Sequence, residues 1–528
     1  MASILVSSNV SLDDAATNDS TSTVGEPSLA VAGQRMFVTG NWYASRSTNS
    51  GGSWDHVDPF TTLPSAAGGF CCDQVTLYDS ARGIWIWILQ YVKQSGSNIF
   101  RLAACSDADF PTGGWYWWDI APTTLDGTWT NRWFDYPDVA LTADNLFVTF
   151  NMFDATDTWV RASVMRFPLD TIANRGTLIF NSWSTTNNGS LRLTQGAGGT
   201  MYWGSHNSDK QLRLFAWADG QNSINWWDVD VNQYSTAIAS TAPNGVDWLG
   251  RADTRITGAA VGNGVITFMW TAGSGTNRPH AYCKAVRINE ASKQRIDQPD
   301  LWSNNRAWAY PAVCTNASGT LGLTAFYGGV DRNVGHIVGA RDDVGGAWTT
   351  VYAKLGSDSP GVATWGDYLT CRVPSGSGDS WVAAGYTLEG GDTRQDILPR
   401  VVSFALATLP TGPAAQGDDM QPGEVLNPGG SITSANGTYT FIYQGDGNLV
   451  LYRSGGVPLW ASGTDGTTPG VCIMQGDGNL VVYRPGPQPV WDSGTWGQPG
   501  NHLVVQDDGN VVIYRPDGSA AWATNTVQ

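Results

Sequence analysis

Apolar and polar residues alternate along this chain in short runs, and the runs recur at intervals. SILVSS (Ser3–Ser8), RMFVTGNW, GIWIWILQY, NLFVTFNMF, GVITFMW and GTLGLTAFY are apolar at every second position or throughout a short stretch. That is the pattern of strands; a helix would repeat its apolar positions every three or four residues. Gly, Asn, Asp, Ser and Pro separate the runs and make turns. Seven runs open in a comparable way, at EPSLAV (Glu26), CDQVTLY (Cys72), YPDVALT (Tyr136), SLRLTQ (Ser190), ADTRITGAAV (Ala252), YPAVCT (Tyr310) and GDYLTC (Gly366), roughly 55 residues apart. Each is followed by a second run, and several units end in a turn and a Trp. Strands at this density predict sandwiches or radial repeats, and so long a spacing favours four-stranded blades. The expectation is an all-β chain with a seven-bladed β-propeller over 1–408. SILVSS, upstream of the first start, is placed to add the outer strand of the last blade and close the ring.

After Thr408 the pattern tightens. QGDGNLVLY (Gln444–Tyr452) returns as QGDGNLVVY (Gln475–Tyr483) and QDDGNVVIY (Gln506–Tyr514), and Trp460, Trp491 and Trp522 keep the same 31-residue period. Read as a strand, each nonamer sets Gln, Asp, Asn, Val and Tyr on one face and the intervening apolar residues on the other. Three such units that cannot bury a face alone are enough to close a small prism around their three Trp. The polar set offers two amides, a carboxylate and a tyrosine hydroxyl, donors and acceptors suited to vicinal hydroxyls of a neutral sugar. An isolated copy would read as turn-stabilising Asx residues; agreement in all three copies favours a site.

The spacing Q-x-D-x-N-x-V-x-Y resembles that of bulb-type (monocot, B-type) mannose-binding lectins, over about Gly423 to Gln528. The resemblance implies a β-prism II fold and metal-free mannose binding through Gln444, Asp446, Asn448 and Tyr452, through Gln475, Asp477, Asn479 and Tyr483, and through Gln506, Asp508, Asn510 and Tyr514. Val450, Val481 and Val512 complete the motif. Plant members usually carry an internal disulfide, and here Cys472 stands alone. The Pro- and Gly-rich stretch 409–422 reads as a linker between the modules.

In the first module Ser47–Trp54 (STNSGGSW) resembles the Asp-box of sialidase-like propellers, with Asn49 in place of Asp. Asp343–Trp348 is a second candidate, with Arg341 where Ser is expected, and looser versions end at Trp115 and Trp226. The box stabilises a hairpin and says nothing of activity. Sialidases also need three Arg, a Tyr–Glu pair and an F/Y-R-I-P tetrapeptide; the tetrapeptide is absent, so sialidase activity does not follow.

Composition narrows the functional classes. Among 528 residues 14% are charged, Gly (63) and Trp (26) are abundant, and the net charge is -17 without a basic run. These features suit turn-rich β structure and argue against a nucleic-acid partner. The longest apolar run, Gly83–Val92, is about ten residues, half of what a bilayer span needs, so no membrane insertion is expected. The first residues show no basic stretch leading into an apolar one, so no signal peptide is expected. Glycan binding nevertheless points to a secreted or cell-surface protein. Seven Cys, with Cys71 and Cys72 adjacent, show no metal-type spacing with His.

Loops leading into the first strand of each blade, and those between second and third strands, should converge on the propeller's funnel. They offer Asp73, Asp138, Asp253, Asp367, Tyr136, Tyr310, His206, His280 and Arg278 as candidate catalytic groups. Glu26, Asp209, Lys210, Asp331 and Arg332 stand in the same loops. Such a set could cleave a glycosidic bond, abstract a proton beside a uronate carboxylate, or hold a divalent cation such as calcium; no cofactor is required by any motif. The competing reading makes each Asp a turn cap and each His a loop residue without a duty. The sequence thus predicts a carbohydrate-binding protein whose lectin module targets mannose-containing glycans to a propeller that acts as a glycoside hydrolase or polysaccharide lyase. The alternative is a non-catalytic two-module lectin for adhesion or defence.

Overall fold

The computed structural model describes residues 2–12, 20–66, 68–342, 346–375, 379–408, 410–484 and 488–528. Two compact units result, Val6–Ala405 and Leu406–Gln528, with Met1–Leu5 grouped with the latter. Asp343–Gly345 of the second box-like stretch and Leu409 lie outside the described residues. Among the described residues no helix is long and apolar enough to cross a membrane.

The alternating runs of the N-terminal unit form four-stranded antiparallel sheets, seven among the described residues. Sheet 1 is Ser28–Ala32, Arg35–Thr39, Ala44–Ser47 and Asp55–Val57; sheet 2 is Phe70–Asp79, Ile84–Tyr91, Phe100–Ser106 and Tyr116–Ile120; sheet 3 is Arg132–Leu141, Asn145–Asp154, Trp159–Pro168 and Asn181–Thr185. Sheet 4 is Arg192–Leu193, Thr200–Ser208, Gln211–Ala218 and Asn225–Asp230; sheet 5 is Ile256–Gly262, Val265–Ala272, Tyr282–Asn289 and Arg295–Asp297; sheet 6 is Ala307–Thr315, Leu321–Gly329, Arg332–Asp342 and Ala347–Leu355. Sheet 7 takes Thr370–Arg372, Ser380–Leu388 and Ile397–Thr408 from the end of the unit and its outer strand, Ala2–Ser11, from the start of the chain. SILVSS therefore pairs where the sequence places it, and Leu12 N–H donates to Pro399 O across the same seam (2.9 Å).

Because both faces of these sheets are apolar, each must bury itself against its neighbours. Ile84–Tyr91 of sheet 2 is buried at every position, with one face packed on sheet 1 around Phe37 and Trp87 and the other on sheet 3 around Phe100, Phe134 and Phe150. The pattern continues between sheets 3 and 4, 4 and 5, and 5 and 6. Trp381 Nε1 of sheet 7 donates to Cys314 O of sheet 6 (3.0 Å), and a core around Leu29, Val38, Ala384 and Val401 joins sheet 7 to sheet 1. The first strands touch in the same cyclic order, the first strand of sheet 7 meeting that of sheet 1. The hairpin at Asn49 forms as its box-like sequence requires: Asn49 Oδ1 accepts from Ser53 N–H (2.9 Å) and Ser47 Oγ accepts from Gly51 N–H (2.9 Å). Trp226 does not follow that pattern; it is 54% exposed on the last strand of sheet 4, with the Arg213 guanidinium 4.1 Å from its ring.

In the C-terminal unit the three repeats give three further four-stranded sheets. Tyr439–Tyr443, Leu449–Arg453 and Val457–Ala461 are joined by Ser431–Thr433; Val471–Met474, Leu480–Arg484 and Gln488–Asp492 by Val425–Leu426; and His502–Val505, Val511–Tyr514 and Ala520–Ala523 by Asp419–Met420. Trp460, Trp491 and Trp522 meet edge to face in a triangle with centroid separations of 5.4, 5.6 and 5.7 Å, the arrangement ring quadrupoles favour. Leu449, Leu451, Leu480, Val482, Val511 and Ile513 fill the core around it, and Cys472 is buried there as a free thiol. The stretch read as a linker contributes too: Ala415 and Met420 belong to this core, and Ala415 N–H donates to Val425 O (2.9 Å).

Candidate functional sites

The nonamers do not run as strands from end to end. Gln444 to Asn448 form a turn, closed by Gln444 N–H to Asn448 O (2.8 Å) and Gly447 N–H to Gln444 O (3.1 Å), and the strand begins only at Leu449. Gly447, Gly478 and Gly509 take φ of 89°, 95° and 87° in the three copies, a conformation that a side chain disfavours. At Gly478 an added Cβ would also lie 2.0 Å from Gln498 O. Gln, Asp and Asn are thus brought to one place by a turn, where the sequence pattern assigns them to alternate positions of a strand.

Each turn builds the same constellation. The Gln side-chain amide donates to the Tyr hydroxyl at 3.2, 2.9 and 2.8 Å for Gln444–Tyr452, Gln475–Tyr483 and Gln506–Tyr514. Asp446, Asp477 and Asp508 accept the backbone N–H of Asn448, Asn479 and Asn510 through Oδ1 at 3.0, 3.1 and 3.0 Å, and all three Asp are exposed. Asn448 Oδ1 accepts from Ser462 Oγ (3.0 Å) and Thr464 N–H (3.2 Å); Ser493 and Thr495, and Thr524 and Thr526, do the same for Asn479 and Asn510. With its oxygen held, the Asn side chain is fixed in orientation and its amide N–H groups are set as donors. Asn479 alone directs one of them to a neighbouring carboxylate, Asp492 Oδ1 (3.3 Å), where the other copies have Ala461 and Ala523. These Ser and Thr supports carry the same 31-residue period as the motif, so the signal was present in the sequence beside the Trp.

In the N-terminal unit several predicted residues gather at the approaches to the first strands. Glu26, Tyr136, Ser190, Tyr310 and Asp367 have φ of 45°, 57°, 48°, 54° and 84°, a left-handed backbone that non-glycine residues adopt at a cost of roughly 1–2 kcal/mol. Ladder register breaks between Phe70 and Gln74, Asp135 and Asp138, and Ala309 and Ala312, so bulges aim Asp73, Tyr136 and Tyr310 away from their strands. The first bulge contains Cys71 and Cys72, which form a disulfide. Tyr386 ties two approaches together: its hydroxyl donates to Thr23 O (2.8 Å) and accepts from Gly366 N–H (2.9 Å) and Gly25 N–H (3.4 Å). Gly366, at φ 98°, lies so close to the Tyr310 ring that a Cβ would meet it at 2.2 Å.

As a result the carboxyls of Glu26, Asp73 and Asp367 lie against one another. Burial pushes Glu26 well above the ordinary carboxylate range, and the neighbouring Asp73 and Asp367 push it further. Burial, followed by the Asp135 charge, raises Asp73 to about 7. Two such carboxyls can share a hydrogen bond only when one keeps its proton. Asp135, absent from the sequence candidates, is also raised by burial and accepts from Gln90 Nε2 (3.0 Å). Arg251 pairs with Asp367 (2.8 Å), Arg192 with Asp138 (3.4 Å), and Arg255 with Asp253. The Arg255 guanidinium stands 4.5 Å from the Tyr136 ring centroid, and the Tyr136 and Tyr368 rings are 6.1 Å apart.

Other candidates take different places. Asp138 accepts Leu193 N–H (2.8 Å) and so supports the start of sheet 4. His206 lies beside Asp253 and Arg255 in one small cavity, bonded through Nδ1 to Tyr234 Oη (3.1 Å), and burial lowers it to about 4. Arg278 forms a separate group with Asp300 (3.3 Å) and Trp302, while His280 is half-buried outside the carboxyl cluster. Asp209 accepts from Gln233 (2.7 Å), Asp331 pairs with Arg306, Arg332 stands over Tyr352, and Lys210 is exposed. The loops between second and third strands therefore do not all converge. Among the described residues no group of three or more His, Cys, Asp or Glu is arranged to hold a metal ion.

No protein-family model and no curated protein matches the chain. Solved structures that it resembles include lectins, several of them described as mannose-binding or mannose-specific. A monomeric monocot mannose-binding lectin from Gastrodia elata is 43% identical, with 21% of this chain and 99% of the lectin covered and a TM-score of 0.20. The mannose-specific agglutinin of snowdrop (Galanthus nivalis) bulbs, complexed with methyl-α-D-mannoside, is 42% identical, with 21% and 98% covered and a TM-score of 0.18. A lectin from Marasmius oreades is 33% identical, with 22% and 95% covered and a TM-score of 0.20.

Proposed function

We propose that this chain is a carbohydrate-binding protein whose C-terminal unit, a β-prism, holds mannose-type glycans at three sites. The observation that carries this is the threefold recurrence of one constellation: an exposed carboxylate, an Asn locked by two donors, and a Gln–Tyr pair. Carboxylate and Tyr oxygen accept, Asn amide and Tyr hydroxyl donate, and two adjacent sugar hydroxyls need both. Retention on immobilised mannan, with elution by free methyl α-mannoside, tests it; passage without retention refutes it.

For the N-terminal unit we infer a seven-bladed propeller, supported by the cyclic contacts of its first strands and by the outer strand drawn from the start of the chain. A second reading assigns it hydrolysis of a polysaccharide, favoured by carboxyls that keep a proton at neutral pH. One carboxyl gives its proton to the glycosidic oxygen as the C–O bond breaks; a second takes a proton from the water whose oxygen joins the anomeric carbon. New reducing ends from a polysaccharide panel support it. Retention on mannan without product from any polysaccharide leaves a non-catalytic lectin.

A further inference from the structure

The arginines nearest the cluster are already engaged: Arg251 by Asp367, Arg255 by Asp253, and Arg192 by Asp138. Each of these three guanidiniums is matched by a carboxylate, so a uronate or sialic acid brought beside the cluster would give up its hydration without gaining an unmatched cation among them. The tyrosines add the complementary feature. Tyr310 and Tyr368 are each only 3% exposed, and their hydroxyls have no hydrogen-bond partner within the protein. Both hydroxyls sit in the field of the cluster, Tyr310 beside Asp367 and Tyr368 beside Glu26 and Asp73. Buried polar groups of this kind cost free energy unless a ligand satisfies them.

We propose that the centre of the N-terminal unit binds an uncharged sugar residue, its hydroxyls held by Glu26, Asp73, Asp367, Tyr310 and Tyr368, and that it rejects acidic sugars. The site is separate from the three C-terminal ones, and its link to cleavage rests on the hydrolase reading above. The strained backbone at Glu26, Tyr310 and Asp367 fits such a role, since strain of this kind persists where the surrounding structure fixes side chains for a ligand.

The test uses the full chain with methyl α-mannoside in excess to occupy the C-terminal sites. Neutral polysaccharides (xylan, β-glucan, galactan) and acidic ones (polygalacturonate, polysialic acid) are compared by mobility in gels that contain them and by release of reducing ends. The expected result is retardation by at least one neutral polymer and by neither acidic one. Asp73→Asn and Tyr368→Phe, each checked for a cooperative thermal unfolding transition, should weaken retardation at least about tenfold, as loss of one or two buried hydrogen bonds implies. Retention on mannan without the competitor should stay as in wild type. Retardation by polygalacturonate or polysialic acid would overturn the neutral class while leaving hydrolysis open. Retardation by a neutral polymer with no reducing ends would uphold this site and refute the hydrolase reading. No retardation by any polymer would overturn the proposal.

Discussion

The two units use repetition in opposite ways. In the C-terminal unit three copies agree at every polar motif position and build one constellation three times, with nearly equal distances. In the N-terminal unit the sheets repeat only as architecture. Where each leads into its first strand the residues differ, with Glu26, Asp73, Tyr136, Ser190, Arg255, Tyr310 and Asp367 in turn. Shallow sites of modest individual affinity gain from identical copies, because several can engage a clustered glycan together. A single central site gains nothing from identity; seven equal residues around one point could not form a protonated carboxyl, an ion pair and a tyrosine hydroxyl side by side. On the proposed function, sequence repetition serves multivalency in one unit, and its loss serves a composite site in the other.

The sharpest way to break this comparison is through the shared Trp triangle. Trp460→Ala removes one ring from a core common to all three repeats and should cost about 3 kcal/mol. Mannan retention should fall at all three sites together, while unfolding of the N-terminal unit stays unchanged in a calorimetric scan. Loss confined to one site would show that the repeats fold independently.

Next in size is the protonation of the N-terminal centre. Asp73 is raised from 3.8 to about 7, so between those pH values the native chain holds a proton that the unfolded chain has released. Stability from this group is complete below about pH 4 and declines as pH rises towards 7. His206, lowered from 6.5 to about 4, acts in the opposite sense and favours the native state more as pH rises from about 4 to 6.5. Asp73→Asn removes the first effect alone. Its stability relative to wild type should rise across that window, by up to about 1.4 kcal/mol per pH unit. Chemical unfolding at pH 4.5 and 7.0 measures it, and an equal difference at both would rule out a buried proton on Asp73.

A smaller effect separates the three proposed sugar sites. Asn448→Ala, Asn479→Ala and Asn510→Ala each remove one locked amide, and each should weaken binding to a mannan surface about tenfold with the other two sites intact. The triple variant should not be retained. Surface plasmon resonance on mannan checks the series, and a single variant that abolishes binding would show one site to be dominant. Smallest is Asn49→Ala, which removes the acceptor of Ser53 N–H at the sheet 1 hairpin; about 1 kcal/mol, read from thermal unfolding, with mannan retention unchanged.

Much of this was legible in the residues. The seven run starts fall on the first strands of the seven sheets, because buried strands require apolar periodicity in any context. Asp73, Asp367, Tyr136 and Tyr310 were visible as residues leading into those strands. Asp135, Tyr368, Arg251 and Arg255 were not, because nothing in local sequence says which residue of a loop a bulge will turn inward. His280 and Asp331 illustrate the converse: rare or charged residues in a plausible loop, yet outside the cluster.

The sequence by itself determined the all-β character, the strand spacing and the threefold motif, because these follow from alternation of side chains and from repetition along the chain. Tertiary structure decided which residues share a proton, which arginines are engaged and which hydroxyls lack partners. Those properties depend on burial and on distances between residues as far apart in the chain as Glu26 and Asp367, brought together only when sheet 7 closes against sheet 1.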